Sequence, residues 1–388
     1  MQAMNEALNK FYNSKRFNLI AFGLIAALTI IAYSNTFTAS FHFDDHPAIL
    51  ENSSIRYVTM DNILDILKTT RPVVNLTLML NYQLSGLNVV GWHIFNIGNH
   101  IANSYLVYLL ILWTLTLPAL AAKFGEKAKR MALLGALLFA VHPIQTESVT
   151  YIISRSETVA SFFYLSAMLL FIKGARTEKF YYYICAFFSS LLAMGSKEWA
   201  ATLPAMILLY DFIFLSGSNL KQVMVRWKAY ALMMLPWLAI AKILTLHKGS
   251  SGIGFSVVTT TGITPVTYLL TSFNVLWTYV RLLFLPIGQN LDYDYPIAKT
   301  LFEFPTLLSF IGHIAVVSIC FWLYKKRGWL LVPFGAAWFY ITISPTQSFV
   351  PIIDVIFEHR LYLPSIGFFL VFITLYEEFF EWLDARKV

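Results

Sequence analysis

The chain has 388 residues, of which 58% are hydrophobic and 13% are charged, and its formal net charge is +7 at pH 7. Soluble domains carry about 25% charged residues, so this composition excludes a disordered chain and an ordinary soluble enzyme of two or three domains. The two cysteines, Cys185 and Cys320, lie inside apolar stretches and predict neither a disulfide framework nor a metal site.

Recurring apolar stretches predict an all-α polytopic membrane protein with about ten transmembrane helices. The first, 18–34, follows Lys10, Lys15 and Arg16 and is typical of an uncleaved signal anchor. The others are predicted at 97–116, 131–143, 158–173, 180–195, 199–215, 229–246, 304–323, 329–344 and 361–377. The segment 35–92 is too polar to span, so we predict a large first outer loop with amphipathic helices there.

A second outer loop is predicted over 247–303. Its part 248–262 is rich in Gly, Ser and Thr, which is typical of a mobile loop. The apolar stretch 267–287 contains Arg281 and is predicted to lie in the membrane plane on the outer side. If it spanned the membrane, the basic residues at 325–327 would face outward, against the positive-inside rule.

The placement of charge sets the predicted orientation. Most of the 28 basic residues fall in inner segments, and most of the 21 acidic residues fall in outer segments. This predicts a membrane domain over 18–377 between a cytoplasmic N-terminus at 1–17 and a cytoplasmic C-terminus at 378–388. Membrane lipids are the expected surroundings, and the positive net charge is assigned to cytoplasmic loops instead of to nucleic-acid binding.

Unusual polar residues gather at the predicted outer ends of the spans. They are Asp44, Asp45, His142, Gln145, Glu147, Arg155, Glu157, Lys197, Glu198, Asp292, Asp294, Glu358, His359 and Arg360. Ionisable groups at membrane depth are costly and are usually paired or functional, so this set predicts one polar cavity that opens outward. Carboxylates there can deprotonate a hydroxyl or bind a cation, and basic groups suit a phosphate. These parts are the ones needed to transfer a sugar from a polyprenyl phosphate to a hydroxyl.

Structural alternatives accompany several of these residues. Asp44 and Asp45 could belong to a solvated loop, and His142 could cap a helix end. Arg155 and Glu157 are two positions apart, so neither faces the other on a helix. We therefore expect each to pair with another segment, with a structural ion pair favoured for Glu157.

Other polar positions are equally open to structural roles. His93, Asn96 and His100 share one helical face, where hydrogen bonding between helices is favoured over a metal site. Asp292 could bind the acceptor or solvate a loop. Glu358, His359 and Arg360 could form a charged cluster beside the membrane, although we favour a phosphate contact for Arg360.

Five segments follow one another along the chain: FDDHPAI, RPVVNLTLMLNYQLSGLNVVGWHIFNIGNH, HPIQTESVTYIISRSE, GSKEWAATLPAMILLYD and EHRLYLPSIGF. In this order they resemble the membrane region of the TMTC family of transmembrane and tetratricopeptide-repeat proteins, from about Phe41 to Phe368. That family is similar to protein O-mannosyltransferases and to the GT-C class of polytopic glycosyltransferases. The resemblance implies a GT-C-like bundle and an inverting transfer of a sugar, such as mannose, from a polyprenyl-phosphate donor to a protein Ser or Thr.

The resemblance also implies roles for single residues. The acidic motif of the first outer loop, Asp44 and Asp45, carries the catalytic residues, with Asp44 expected as the base. Donor phosphate binding is expected of Arg71, Lys197, His359 and Arg360. Residues expected to support the site are His93, His142, Glu147, Arg155, Glu198, Arg281, Asp292 and Glu358. No resident cofactor or metal is expected, although the aspartate pair permits a divalent cation.

Family members usually continue into tetratricopeptide repeats, whereas this sequence stops at Val388 soon after the last predicted span. No repeats are therefore expected, and a lipid or glycan acceptor becomes an alternative to a protein. The short form favours a bacterial inner membrane with the site facing the periplasm, or the endoplasmic-reticulum lumen in a eukaryote. A flippase or transporter of a lipid-linked precursor and a non-enzymatic scaffold are the competing classes. Transporters tend to show related halves and polar residues at mid-membrane, and this sequence shows neither.

Overall fold

The computed structural model describes residues 16–246 and 262–386, with 239–246 described as backbone only. Within these ranges the fold is all-α, with 16 α-helices. They are α1 Phe17–Ala32, α2 Met60–Leu67, α3 Pro72–Ser85, α4 Val89–Leu115, α5 Pro118–Phe124, α6 Ala128–Val141, α7 Thr146–Thr150, α8 Arg155–Thr177, α9 Tyr181–Met194, α10 Leu203–Tyr210, α11 Leu220–Val225, α12 Trp227–Leu246, α13 Pro265–Phe284, α14 Phe304–Arg327, α15 Leu331–Ile343 and α16 Ser365–Ala385. The segment predicted to be a mobile loop, 248–262, lies outside the described residues except for Gly262.

Each predicted span contains a helix, but ten membrane crossings are not established. In the described ranges, three helical segments are long and apolar enough to cross: Ile152–Thr177, Glu198–Leu215 and Phe304–Arg327. Val89–Leu115 and Pro118–Val141 together meet the same test, but they meet at an angle of 93°. These three or four candidate spans indicate an integral membrane protein, and the finer division into ten spans stays a prediction.

Helix α13 occupies the stretch predicted to lie in the membrane plane. It contacts predicted outer segments along its length: the Tyr268 hydroxyl donates to the carbonyl of Thr346 at 2.6 Å, and the Tyr279 hydroxyl donates to the carbonyl of Phe357 at 2.8 Å. It is not among the described segments that are long and apolar enough to cross a membrane. Its in-plane orientation stays a prediction that these contacts favour.

A buried polar stripe on α4 holds the central helices together. His100 contacts the Tyr362 hydroxyl through Nδ1 at 2.7 Å and the carbonyl of Ala140 through Nε2 at 3.0 Å. His93 contacts the carbonyl of Ala39 at 3.0 Å. Each histidine is thus hydrogen-bonded to a different part of the chain, which confirms the expected bonding between segments. His93 holds the start of the first loop at Ala39, and His100 holds Tyr362, which lies just before α16.

The opposite end of the bundle is held by ion pairs. Glu377 near the end of α16 accepts from Arg130 of α6 at 2.6 Å and lies 3.1 Å from the ammonium of Lys127. Both helix ends belong to segments that the charge pattern assigns to the inner face. The start of α6 and the end of α16 therefore lie on one side, and the outer polar residues lie at the other end of these helices.

Candidate active site

The two aspartates of the first loop have different surroundings. Asp45 is 1% exposed, and its carboxylate accepts from the backbone N–H of Ile153 at 2.9 Å and of His42 at 3.1 Å. Burial raises the pKa of Asp45, although both hydrogen bonds oppose this rise. Asp45 thus ties the loop to the segment that leads into α8.

Asp44 instead faces outward. Its backbone N–H donates to the Tyr151 hydroxyl at 2.8 Å, but its carboxylate forms no hydrogen bond or ion pair with the residues that the structure describes. The preceding residue, Phe43, has a φ of 44°, in the left-handed region that aromatic residues rarely adopt. Such strained positions often occur at functional sites. Here the strained residue directly precedes two neighbouring aspartates, of which Asp44 is exposed and Asp45 is buried.

A cavity of about 530 Å³ opens beside this turn. Its walls are Ala39, Ser40, His42, Phe43, Asp45, Thr146, Glu147, Thr150, Tyr151, Gln289, Asn290, Leu291 and Glu358. The lining thus includes carboxyl, carboxamide, hydroxyl and aromatic groups, but neither lysine nor arginine. Such a lining suits a neutral or cationic molecule with hydroxyl groups better than it suits an anion.

Glu358 joins the second outer loop to this cavity. Its carboxylate accepts from the side chain of Gln289 at 2.6 Å, from the backbone N–H of Asn290 at 2.8 Å and from the Tyr293 hydroxyl at 2.5 Å. Glu358 is 2% exposed, so these three donors compensate the cost of burying its charge. The residue therefore shapes the cavity wall and has little capacity left to bind a substrate.

A chain of charged groups leads from the cavity into the protein. Glu147 at the cavity wall contacts His359 Nδ1 at 2.5 Å. His359 Nε2 lies 3.7 Å from Oε1 of Glu157, and the ammonium of Lys197 lies 2.6 Å from the same oxygen. The other Glu157 oxygen accepts from the indole N–H of Trp199 at 2.6 Å. This confirms an ion pair for Glu157 and places it at the centre of the network.

Two further cations lie around this chain. Arg71 makes two hydrogen bonds of 3.2 Å to Glu198, next to Lys197. Arg360 donates to the carbonyl of Asp354 at 2.7 Å, and no carboxylate of the described residues pairs with it. Burial raises the pKa of Asp354, Arg360 opposes this rise, and Asp44 is close enough for its charge to add to it. The charges of Asp44 and Arg360 thus act on the Asp354 carboxyl in opposite directions.

Burial changes the protonation of the network. It raises the pKa of Glu147 to about 7, against the neighbouring charges of Lys197 and Arg360. Burial, followed by the charge of Lys197, lowers the pKa of His359 well below its ordinary value. Burial also lowers the pKa of Lys197, which Glu157 opposes. At neutral pH the imidazole is accordingly uncharged, so its expected role as a cationic phosphate ligand does not fit its surroundings.

Other predicted site residues lie away from the cavity. Arg155 is fully buried under the first loop, where it donates to Asn81 at 2.9 Å and lies over the rings of Trp92 and Phe95. It therefore has a structural environment, and its expected partner in another segment is Asn81.

His93 and His142 also hold backbone groups, since His142 contacts the carbonyl of Leu283 at 3.1 Å. Arg281 donates to the carbonyl of Ile287 at 2.9 Å at the end of α13, and Asp292 is exposed on the second loop. None of these four side chains lines the cavity.

Several residues of the site were not singled out by the sequence. Tyr151 contacts the backbone of Asp44, and Gln289, Asn290 and Tyr293 hold Glu358. The sequence signal available for Tyr293 was its position in a segment of alternating aromatic and acidic residues. That pattern did not identify Glu358 as its partner. Within the described ranges, no group of three or more His, Cys, Asp or Glu residues is arranged to hold a metal ion.

Comparison with known proteins places the chain among mannosyltransferase homologues. It is 27% identical over 225 residues to human protein O-mannosyl-transferase TMTC4, covering 52% of this chain and 30% of that protein. It is 30% identical over 215 residues to Xenopus laevis protein O-mannosyl-transferase tmtc2, covering 50% and 24%. Over 387 residues it is 24% identical to the Caenorhabditis elegans protein O-mannosyl-transferase F38B6.6, covering 90% and 50%.

The chain is thus a distant homologue of the TMTC protein O-mannosyltransferases, which confirms the resemblance seen in its motifs. The aligned part spans half or less of the length of these relatives. No family model matches the chain, and no solved structure matches it. The activity, the donor and the acceptor are matters for the proposal that follows.

Proposed function

We propose that this protein is an inverting glycosyltransferase of GT-C-like architecture, with about ten membrane spans. It moves a sugar, mannose in the simplest case, from a polyprenyl phosphate to a hydroxyl group of a protein on the outer face of the membrane. The observation that carries this proposal is the pairing of an unengaged carboxylate with a cluster of cations at one end of the bundle. Asp44 is exposed between Phe43 and Asp45, which both line the cavity, and Lys197, Arg71 and Arg360 lie around the charged chain that begins at the cavity wall.

In this reaction Asp44 acts as the base. Its carboxylate takes the proton of the acceptor hydroxyl while the hydroxyl oxygen attacks the anomeric carbon. The bond from that carbon to the phosphate oxygen breaks, and the electron pair stays on the phosphate. Positive groups that meet this growing negative charge stabilise the transition state more than the ground state.

The three cations are not equivalent before the donor binds. Lys197 and Arg71 each contact a carboxylate, whereas Arg360 donates to backbone carbonyls and lies over the Phe357 ring, with no carboxylate partner among the described residues. A guanidinium without a carboxylate partner retains donors and full charge for an incoming phosphate. Arg360 is therefore the strongest candidate for the first phosphate contact, with Lys197 and Arg71 completing the binding site.

The cavity lining favours a protein acceptor over an anionic lipid. It contains Asp45, Glu147 and Glu358 and no lysine or arginine. Without lysine or arginine, this lining offers an acidic headgroup no cationic partner at the place where the acceptor approaches the loop of Asp44. A serine or threonine of an extended segment carries no negative charge, which agrees with the description of the homologues as protein O-mannosyltransferases.

Sugar transfer by the purified full chain in lipid nanodiscs tests the proposal. Mannosyl-phosphoryl polyprenol and a serine- and threonine-containing peptide are the substrates, and the glycosylated peptide is measured by mass spectrometry. Asp44→Asn is expected to lower kcat by at least about 10²-fold, the usual range for loss of a general base. Glu51→Asn serves as the control because Glu51 is an exposed acidic residue of the same loop. Equal rates for Asp44→Asn and the wild type would remove Asp44 from the mechanism.

A further inference from the structure

Glu147 and His359 form a close pair between the cavity and the cations. His359 Nδ1 lies 2.5 Å from Glu147 Oε1, and the His359 backbone N–H donates to Oε2 at 2.9 Å. On the other edge of the ring, Nε2 faces the Glu157 oxygen that Lys197 contacts. The imidazole thus connects a carboxyl group at the cavity wall to the proposed phosphate-binding side.

This arrangement determines where protons can reside. Because burial raises the pKa of Glu147 to about 7 while that of His359 is lowered, Glu147 holds the exchangeable proton and His359 stays neutral. A neutral imidazole has one N–H and one bare nitrogen. When protonated Glu147 donates to Nδ1, the N–H of the ring is at Nε2, on the side of Lys197. The other charged and titratable groups that face the pair are Arg71, Arg360, Tyr151 and Tyr279.

We propose that His359 relays a proton from Glu147 to the leaving phosphate, a step that rests on the glycosyl transfer proposed above. As the bond between the anomeric carbon and the phosphate oxygen breaks, the electron pair stays on that oxygen, which takes the proton of His359 Nε2. Nδ1 takes the proton of Glu147, so the imidazole is neutral before and after the step. The acceptor oxygen forms the new bond to the anomeric carbon, and its proton goes to Asp44.

The position of Glu147 explains how the relay is reset. Glu147 lines the cavity, so its carboxylate can regain a proton from water there after the products leave. His359 does not line the cavity, and its Nε2 faces Glu157 instead. In this scheme His359 is a catalytic residue, and Glu147 is a positioning residue that acts through it.

A pH profile of sugar transfer tests the relay. Protonated Glu147 is the active form, so wild-type kcat is expected to fall as the pH rises above about 7. Glu147→Gln keeps the shape of the side chain but holds no transferable proton. Its kcat is therefore expected to be about 10²-fold lower and to lose the alkaline limb, which is the fall in rate above about pH 7. Glu147→Asp is expected to restore part of the rate together with the limb. A merely structural glutamate would lower the rate evenly, so an unchanged limb in Glu147→Gln overturns the proposal.

Infrared difference spectroscopy of the full chain, without substrate, separates the relay from the transfer reaction. A protonated carboxyl band that titrates near pH 7 in the wild type and is missing in Glu147→Gln supports the proton-holding pair. The same band should persist in Glu51→Gln, a matched exposed glutamate. Absence of the band in the wild type overturns the proposal even if sugar transfer is found. If the band is present but the wild type transfers no sugar from any polyprenyl phosphate, the proposed function fails instead, and the relay to phosphate fails with it.

Discussion

Replacement of Asp45 by Ala is expected to destabilise the protein, whereas replacement of Asp44 by Ala leaves the fold intact. The Asp45 carboxylate accepts from two partly buried backbone N–H groups, of Ile153 and His42. An unsatisfied buried donor costs about 1–3 kcal/mol, and these two donors keep some access to water, so Asp45→Ala should lower the free energy of unfolding by about 2 kcal/mol. The Asp44 carboxylate has no hydrogen bond to lose among the described residues, so Asp44→Ala should change stability by less than about 0.5 kcal/mol.

Asp45→Asn gives an intermediate case with a defined pH dependence. Asparagine keeps one acceptor and carries no charge, so it loses one hydrogen bond and avoids burying a carboxylate. Because burial raises the pKa of Asp45 above 3.8, the folded state favours the protonated side chain. The wild type should therefore gain stability relative to Asp45→Asn as the pH falls from the raised pKa of the folded state towards 3.8. This gain should be lost as the pH rises above the raised pKa.

Thermal unfolding of the purified variants in detergent, followed by tryptophan fluorescence, checks these values. Unfolding of membrane proteins is often irreversible, so apparent midpoints are compared at one heating rate. Asp45→Ala should unfold well below the wild type, and Asp44→Ala should match it. Equal midpoints for Asp45→Ala and the wild type, or an equal loss in Asp44→Ala, would refute the assignment of a structural role to one aspartate only.

Three further predictions follow from ion pairs and buried charges of the described residues. Arg155→Met should lower the free energy of unfolding by about 1–3 kcal/mol, because it leaves the buried side-chain oxygen of Asn81 without its donor; an unchanged midpoint would contradict this structural role. The double variant Arg71→Glu/Glu198→Arg exchanges the two charges and should restore the ion pair and the thermal midpoint relative to either single variant. It should still weaken donor binding, measured as a raised KM. Full recovery of KM would exclude Arg71 as a phosphate ligand. Glu377→Gln should destabilise the inner end by about 1–3 kcal/mol, since Glu377 is buried and accepts from Arg130, and a loss that disappears in high salt would point to a surface effect.

The helical segments could be predicted because their apolar stretches are long and continuous. The stretch 267–287 was also predicted to be helical from its apolar residues, while its orientation in the membrane plane stays a prediction. The number of crossings could not be settled in the same way. Bent and broken helices such as Glu198–Leu215, which contains α10 between two irregular turns, have membrane-like composition without one continuous α-helix.

The candidate site was only partly predictable. The acidic pair and the basic residues were visible as polar groups at predicted outer helix ends, but neighbours in sequence cannot be told apart by composition. The left-handed turn at Phe43 accompanies the separation of exposed Asp44 from buried Asp45. The partners of Lys197 and Glu358 depend on long-range packing, since Glu157 and Tyr293 lie 40 and 65 positions away.

Structure determination of the full chain bound to polyprenyl phosphate tests the central claim most directly. The account predicts phosphate density at the outer end, in contact with Arg360 and Lys197 and beside the cavity that Phe43 and Asp45 line. Phosphate density at the opposite end, among the basic residues that pair with Glu377, would contradict it. So would density at the outer end that touches none of the three proposed cations.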